Sequence, residues 1–98
     1  MTRDIVPPPH AIDIGCGHKI EFVDYLGEVA GINDWHLTKC GAWCRGWVSF
    51  NGSAWRRGFR SGDGWNVVQR DPLTLSPSLL CRACGDHGHI VNGKWVPC

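Results

Sequence analysis

Four of the six cysteines in this 98-residue chain occur as two close pairs, a spacing typical of metal-binding turns. Cys40 and Cys44 enclose three residues, while Cys81 and Cys84 enclose two. Cysteines two to four residues apart commonly bind structural zinc, because one tight turn directs both sulfurs toward the ion. The sequence therefore predicts one structural zinc ion held by Cys40, Cys44, Cys81 and Cys84. Such a closed site would stabilise the fold and leave no position for water or substrate.

Other thiols and imidazoles offer alternative ligand sets. A second site could combine Cys16, His18 and Cys98, and an alternative single site could combine Cys81, Cys84, His87 and Cys98. Disulfides and buried free thiols are the interpretations without metal. The first twenty residues contain no apolar stretch typical of a secretory signal, which favours a reducing cytoplasm. Paired thiolates in that compartment more often bind metal than form disulfides.

A second motif begins at Thr74. The run Thr-Leu-Ser-Pro-Ser-Leu is followed by a cysteine, then by His87 and Ile90, and then by Asn-Gly before a last strand. This arrangement resembles a family of small phage and bacterial proteins that combine a zinc knuckle with a Thr-x-Ser-Pro-Ser motif. Some members belong to bacterial ubiquitination-like (Bub) operons and are understood to act as serine-type peptidases on ubiquitin-like proteins. The resemblance spans residues 38–98 and implies an actinobacteriophage protein that works in the host cytoplasm.

The resemblance also implies catalytic roles for three residues. Ser78 would be the nucleophile, His87 its general base and Asp71 the acidic residue that orients the base. A serine hydroxyl needs an adjacent base to become a nucleophile, and histidine titrates close to neutral pH. The two aromatic residues that follow the histidine in the family are a glycine and His89 here, which leaves His89 as a rival base. Alternatively, the Ser-Pro-Ser segment is only a strand entry, because proline favours an extended residue before it.

A cluster of aromatic and cationic residues lies in a segment rich in glycine and serine. Its members are Trp55, Arg56, Arg57 and Arg60. Such side chains are enriched in protein-binding hot spots, and they also stack on bases and neutralise phosphates. The net charge is only +1, which disfavours nucleic acid as the partner. We therefore predict that this loop binds a protein, with a merely solvated loop as the alternative.

The elements that must position these residues are predicted to be mostly strands. The expected fold class is α+β: a small zinc-ribbon-like antiparallel sheet with one short amphipathic helix over residues 19–30. Residues 1–14 are expected to form an extended lead-in to a single zinc-stabilised domain, residues 1–98. No stretch of about 20 apolar residues is present, so no membrane span is expected.

Strand signals follow the predicted helix. Strands are predicted at 47–50 and 65–68, with Trp47 and Trp65 in the core. The dipeptide Asn92-Gly93 lies between two β-prone runs and predicts a tight type I′ hairpin.

These observations favour a zinc-stabilised phage protein with serine-type peptidase activity toward a ubiquitin-like or other host protein. The alternative is a non-catalytic zinc-ribbon module that binds a host protein, and a nucleic-acid-binding ribbon ranks third. The sequence leaves open whether the chain is an enzyme, and it predicts no oligomeric state.

Overall fold

A computed structural model describes residues 5–53, 55, 64–82 and 84–98. Nine β-strands are assigned in this part of the chain, and they form three antiparallel sheets. The strands are β1 (Ile12–Gly15), β2 (His18–Tyr25), β3 (Glu28–Leu37), β4 (Trp43–Ser49), β5 (Asn66–Gln69), β6 (Thr74–Ser76), β7 (Leu79–Leu80), β8 (His87–Val91) and β9 (Lys94–Pro97). Strands β1–β4 form a meander in sequence order, β5 pairs with β6, and β7–β9 form the third sheet.

The mostly β, antiparallel part of the prediction is confirmed, but the helix predicted over residues 19–30 is wrong. Strands β2 and β3 occupy this segment and pair as a hairpin. Leu26 and Gly27 connect them, and both have left-handed backbone angles, with φ of 51° and 81°. Two positive φ values in a two-residue turn match the right-handed twist of a hairpin. The apolar spacing that indicated one helical face belongs instead to two strands on either side of this turn.

The turn predictions are more accurate. Asn92 and Gly93 connect β8 and β9 with φ of 49° and 74°, as a type I′ turn requires. The strand predicted at 47–50 overlaps β4, and the one at 65–68 overlaps β5. Within the predicted lead-in, residues 12–14 already belong to β1.

One hydrophobic core joins the three sheets. The core residues are Ile14, Ile20, Ile32, Val48, Phe50, Leu73, Leu75, Leu79, Ile90 and Trp95. Trp65 packs against this cluster, as predicted, but Trp47 is 38% exposed and lies outside it. The described residues include no helix that is long and apolar enough to span a membrane.

The inward face of the first sheet changes character along its length. Ile32 and Val48 are paired residues of β3 and β4, and both are buried in the core. Alternate residues of a strand share a face, so the inward positions two and four residues further along β3 are Asp34 and His36, which are also buried. The core therefore ends in a cluster of polar and metal-binding side chains, which the third sheet covers.

Candidate functional site

The register of β3 and β4 brings together the first two side chains that could hold a metal ion. His36 is paired with Cys44, so their side chains lie on the same face. Cys81, at the end of β7, approaches from the third sheet, and its sulfur lies 3.6 Å from that of Cys44. His36, Cys44 and Cys81 each offer one donor atom, and these three atoms lie within 4.8 Å of one another. This group could therefore hold a metal ion.

The turn between β7 and β8 adds a fourth donor. The N–H of Cys81 donates to the carbonyl of Asp86 at 2.8 Å, and the N–H of Gly85 donates to the carbonyl of Cys81 at 2.7 Å. Gly85 has φ of 78°, which a glycine adopts without steric cost. This tight turn places the sulfur of Cys84 3.0 Å from Nε2 of His36. Cys84 thus contacts the imidazole of the group formed by His36, Cys44 and Cys81, but it lies outside the set of donor atoms that are all within 4.8 Å of one another.

Three of the four predicted metal ligands therefore come together, and the fourth does not join them. Cys40 is exposed in the β3–β4 turn and, like Cys84, lies outside the two groups of described residues that could hold a metal ion, but Cys84 contacts His36 at 3.0 Å. His36, which sequence reasoning missed, occupies the fourth place. A signal for it was present, because His36 and Cys44 lie four residues before and after Cys40, as paired residues of a hairpin centred there would.

Burial and the neighbouring thiols shift Cys44 and Cys84 toward the protonated form. Burial, the hydrogen bond to Cys81 and the neighbouring thiols raise the pKa of Cys44 to about 11. A hydrogen bond from the Asp86 backbone lowers the pKa of Cys84, but burial and Cys81 together raise it above its ordinary value. Crowded thiolates repel one another, whereas a bound cation favours the deprotonated form of every one of them.

A second polar network lies next to the metal group, the name used here for His36, Cys44, Cys81 and Cys84. His18 is 2% exposed and makes two hydrogen bonds, from Nδ1 to Asp34 at 2.9 Å and from Nε2 to Asp86 at 2.6 Å. Burial lowers the pKa of His18, but the two carboxylates more than offset this and raise it. The His18 ring stacks on Trp95 with centroids 3.7 Å apart. An imidazolium between two carboxylates therefore ties the β7–β8 turn to the first sheet.

His18, His36 and Asp86 form a second group whose donor atoms are close enough to hold a metal ion. Both nitrogens of His18 are already hydrogen-bonded to carboxylates. Its ring is also stacked face to face on that of His36, with centroids 5.2 Å apart and an interplanar angle of 22°. We therefore assign this group as a hydrogen-bond network. Nδ1 of His36 is buried and has no hydrogen-bond partner in the described part of the chain.

The third sheet forms the serine–histidine pair that the resemblance implies. Ser78 precedes β7 and His87 begins β8, and the hydroxyl Oγ of Ser78 lies 2.9 Å from Nε2 of His87. The indole N–H of Trp65 donates to the carbonyl of Ser78 at 3.2 Å. The N–H of Cys98 donates to the carbonyl of His87 at 3.0 Å. Ser78 is half-buried and His87 is exposed, so the pair faces solvent.

The other predicted catalytic residues lie elsewhere. Asp71 is exposed beside Phe22 and Leu73, and within the described residues it makes no hydrogen bond to His87. Asp86, next to His87 in the chain, binds His18 instead. His89, the rival base, has its Nδ1 3.7 Å from the sulfur of Cys98.

The alternative ligand sets are likewise not assembled as groups in the part of the chain that the structure describes. Cys98 contacts His89, and His18 is held by two carboxylates, so the set of Cys16, His18 and Cys98 does not form. His87 binds Ser78, and it is absent from both metal-binding groups.

The predicted binding loop is described only at Trp55, because Arg56, Arg57 and Arg60 lie outside the described residues. The Trp55 ring makes edge contacts with Tyr25 and Trp47, with centroids 5.4 Å and 5.8 Å away. These three aromatic residues line an open cavity of about 270 Å³ on the outer side of the first sheet. The exposed position of Trp47 is explained by this cluster.

Comparison with known proteins found no match to this chain. The sequence matches no family model, and it has no significant match among curated proteins or among solved structures.

Proposed function

We propose that this chain is a zinc-stabilised serine hydrolase in which Ser78 is the nucleophile and His87 is the general base. The observation that carries the proposal is the 2.9 Å distance between Ser78 Oγ and His87 Nε2. A nucleophile and its base must lie within about 2.6–3.2 Å for the proton to be transferred. The sequence resemblance supports the same two residues for the same roles.

Zinc is the ion that the donor set favours. Three thiolates and one imidazole form one of the common closed sites of structural zinc. Bonds of about 2.3 Å to a tetrahedral ion place two sulfurs about 3.8 Å apart, and Cys44 and Cys81 are 3.6 Å apart. Because the ligands come from two hairpins, the arrangement is similar to a zinc ribbon. With four protein ligands, the ion would be structural.

Two of the proposed metal ligands, Cys81 and Cys84, belong to the same hairpin as the serine–histidine pair. Ser78 and His87 lie on either side of the turn that carries Cys81 and Cys84, and Leu80 of β7 is paired with His87. An ion that fixes the two cysteines also fixes the ends of both strands. Catalysis depends on such positioning, because an error of about 1 Å in the reacting groups can reduce the rate a hundredfold.

In the proposed reaction, His87 Nε2 accepts the proton of Ser78 as Oγ attacks a substrate carbonyl carbon. The resulting imidazolium then protonates the leaving amine, and an acyl-serine remains. Water, deprotonated by the same imidazole, releases the acid and restores Ser78. The substrate class that the resemblance supports is a polypeptide, a ubiquitin-like or other host protein, met in the host cytoplasm by a phage-encoded enzyme.

A fluorophosphonate probe tests the proposal directly, because it labels only activated serines. We expect zinc-loaded protein to be labelled at Ser78, with labelling lost in Ser78→Ala and reduced at least about a hundredfold in His87→Ala. Ser76→Ala is the matched control, since Ser76 is two residues away and exposed on β6. Absence of labelling in protein shown to contain zinc would remove the hydrolase proposal and leave the metal centre intact.

The aromatic cavity favours a second candidate, a non-catalytic module that binds a host protein. Exposed aromatic clusters are typical of protein-binding hot spots, and Tyr25, Trp47 and Trp55 form one here. The two functions are separated by variants in the producing host. A phenotype that survives Ser78→Ala but is lost in Trp47→Ala would favour the binding module, whereas the reverse pattern would favour the hydrolase.

A further inference from the structure

Two cysteines outside the metal group open onto the same cavity as two of its members. This cavity of about 540 Å³ is lined by Cys16 and Cys40 together with His36 and Cys84. The Lys39 and Asp86 side chains also line it, and the Asp86 carboxylate is held by His18. Soft thiols that share a cavity with a metal-binding group are candidates for a role in metal binding.

The strand order explains why these thiols are neighbours. Cys16 lies in the β1–β2 turn and Cys40 in the β3–β4 turn, and in an antiparallel meander both of these turns are at the same end. The N–H of Leu37 donates to the carbonyl of Gly17 at 2.9 Å and ties the two turns together. The Cys84 turn covers this end of the sheet. The cavity is therefore a product of the topology.

The exposure of the side chains to solvent decreases from the cavity thiols toward His36. Cys16, Cys40 and Cys84 are exposed, while Cys44 and Cys81 are half-buried. His36 is only 3% exposed, and its buried Nδ1 is unpartnered within the described residues. An ion from solvent would meet the exposed thiols first, and it would reach the imidazole last.

We propose that Cys16 and Cys40 are entry ligands, which capture a thiophilic ion such as zinc in this cavity and pass it to His36, Cys44, Cys81 and Cys84. The inference rests on the proposed metal centre, and it is independent of the hydrolase. During each transfer one bond between the metal and Cys16 or Cys40 breaks, while a bond to a sulfur or to the imidazole nitrogen of the final site forms. Each thiol that binds releases its proton to solvent, each thiolate that is freed takes one up, and no electron is transferred.

Metal-uptake kinetics test the inference with the full chain. Reduced apo-protein is mixed with the zinc complex of a chromophoric chelator, and both the transfer rate and the final equilibrium are read from the chelator absorbance. For the double variant Cys16→Ser/Cys40→Ser, we expect slower transfer, because the thiols that an incoming ion meets first are missing. The equilibrium affinity should match that of the wild type, because neither cysteine is a final ligand.

Cys98→Ser is the matched control, since Cys98 is also exposed but lies beside His89 and does not line the cavity. Its transfer rate should equal that of the wild type. Equal rates for the double variant and the wild type would overturn the inference. So would a loss of equilibrium affinity in Cys40→Ser, which would make Cys40 a final ligand. Failure of the wild type to take up zinc would remove the metal centre itself.

Discussion

His36 and Cys44 are paired residues of β3 and β4, and this register places an imidazole and a thiol side by side at the end of the core. The pairing makes the first half of the metal group a property of one local hairpin. The second half, Cys81 and Cys84, comes from another hairpin, and the Asp34–His18–Asp86 network joins the two.

The ligand set can be read from cobalt-substituted protein. We expect one Co²⁺ per chain, with tetrahedral ligand-field bands and charge-transfer absorption from three thiolates, because the geometry assembles His36 with three cysteines. His36→Ala should lower the affinity, while Cys40→Ser should leave both spectrum and affinity unchanged. A four-thiolate spectrum that loses intensity in Cys40→Ser would instead restore the four-cysteine site.

Metal removal should destabilise the fold without abolishing it. Binding that favours the native state by a thousandfold excess over Kd contributes about 4 kcal/mol, which for a domain of this size corresponds to about 20 °C in Tm. The ten-residue core should keep the apo-protein folded at low temperature. Calorimetry of reduced protein with and without a chelator measures the shift. An identical Tm in both states would show that no structural ion is bound.

Asp34→Asn should be strongly destabilising. Asp34 is 6% exposed and receives a hydrogen bond from the buried His18. Removal of one partner leaves a buried charge partly uncompensated, which typically costs about 3 kcal/mol or more. Denaturant unfolding measures the difference, and Asp24→Asn is the control because Asp24 is exposed on β2. Equal effects of the two substitutions would mean that the network contributes nothing to stability.

Gly88→Ala should disrupt the third sheet. A Cβ at this position would lie 2.6 Å from Trp95 Cζ2 and 2.6 Å from the carbonyl oxygen of Val96. Because Trp95 is held between the core and His18, relief of the clash must move a packed ring, at a cost of about 2 kcal/mol. Gly46→Ala is the matched control: its nearest neighbour, the Asp34 carbonyl oxygen, would be 4.0 Å away. Similar unfolding midpoints for both variants would contradict the packing described.

The sequence predicted those features that depend on neighbouring residues. The β8–β9 hairpin followed from Asn92-Gly93, because that dipeptide accepts two positive φ values in succession. The closeness of Cys81 to Cys84 followed from their spacing. Ser78 and His87 came from the resemblance, and the 2.9 Å contact arises because the turn between them folds β8 back onto β7.

Features that depend on pairing between distant segments were missed. Leu26-Gly27 is not a typical type I′ dipeptide, so the β2–β3 hairpin was mistaken for a helix. Without that hairpin the register of β3 was unknown, and the equal spacing of His36 and Cys44 about Cys40 did not by itself identify them as partners. The buried role of His18 depends on Asp86, which lies 68 residues further along the chain. Such a contact can be recognised only once the sheets are assembled.

The contact between Cys44 and Cys81 joins residues 37 positions apart in the chain. An ion bound to both would act as a reversible cross-link, and closing a loop of this length restricts the unfolded chain by an amount worth about 4 kcal/mol in the chain-entropy model. Unlike a disulfide, this cross-link needs no oxidant and can be opened by a competing chelator. Availability of the ion would therefore adjust the stability of the folded protein.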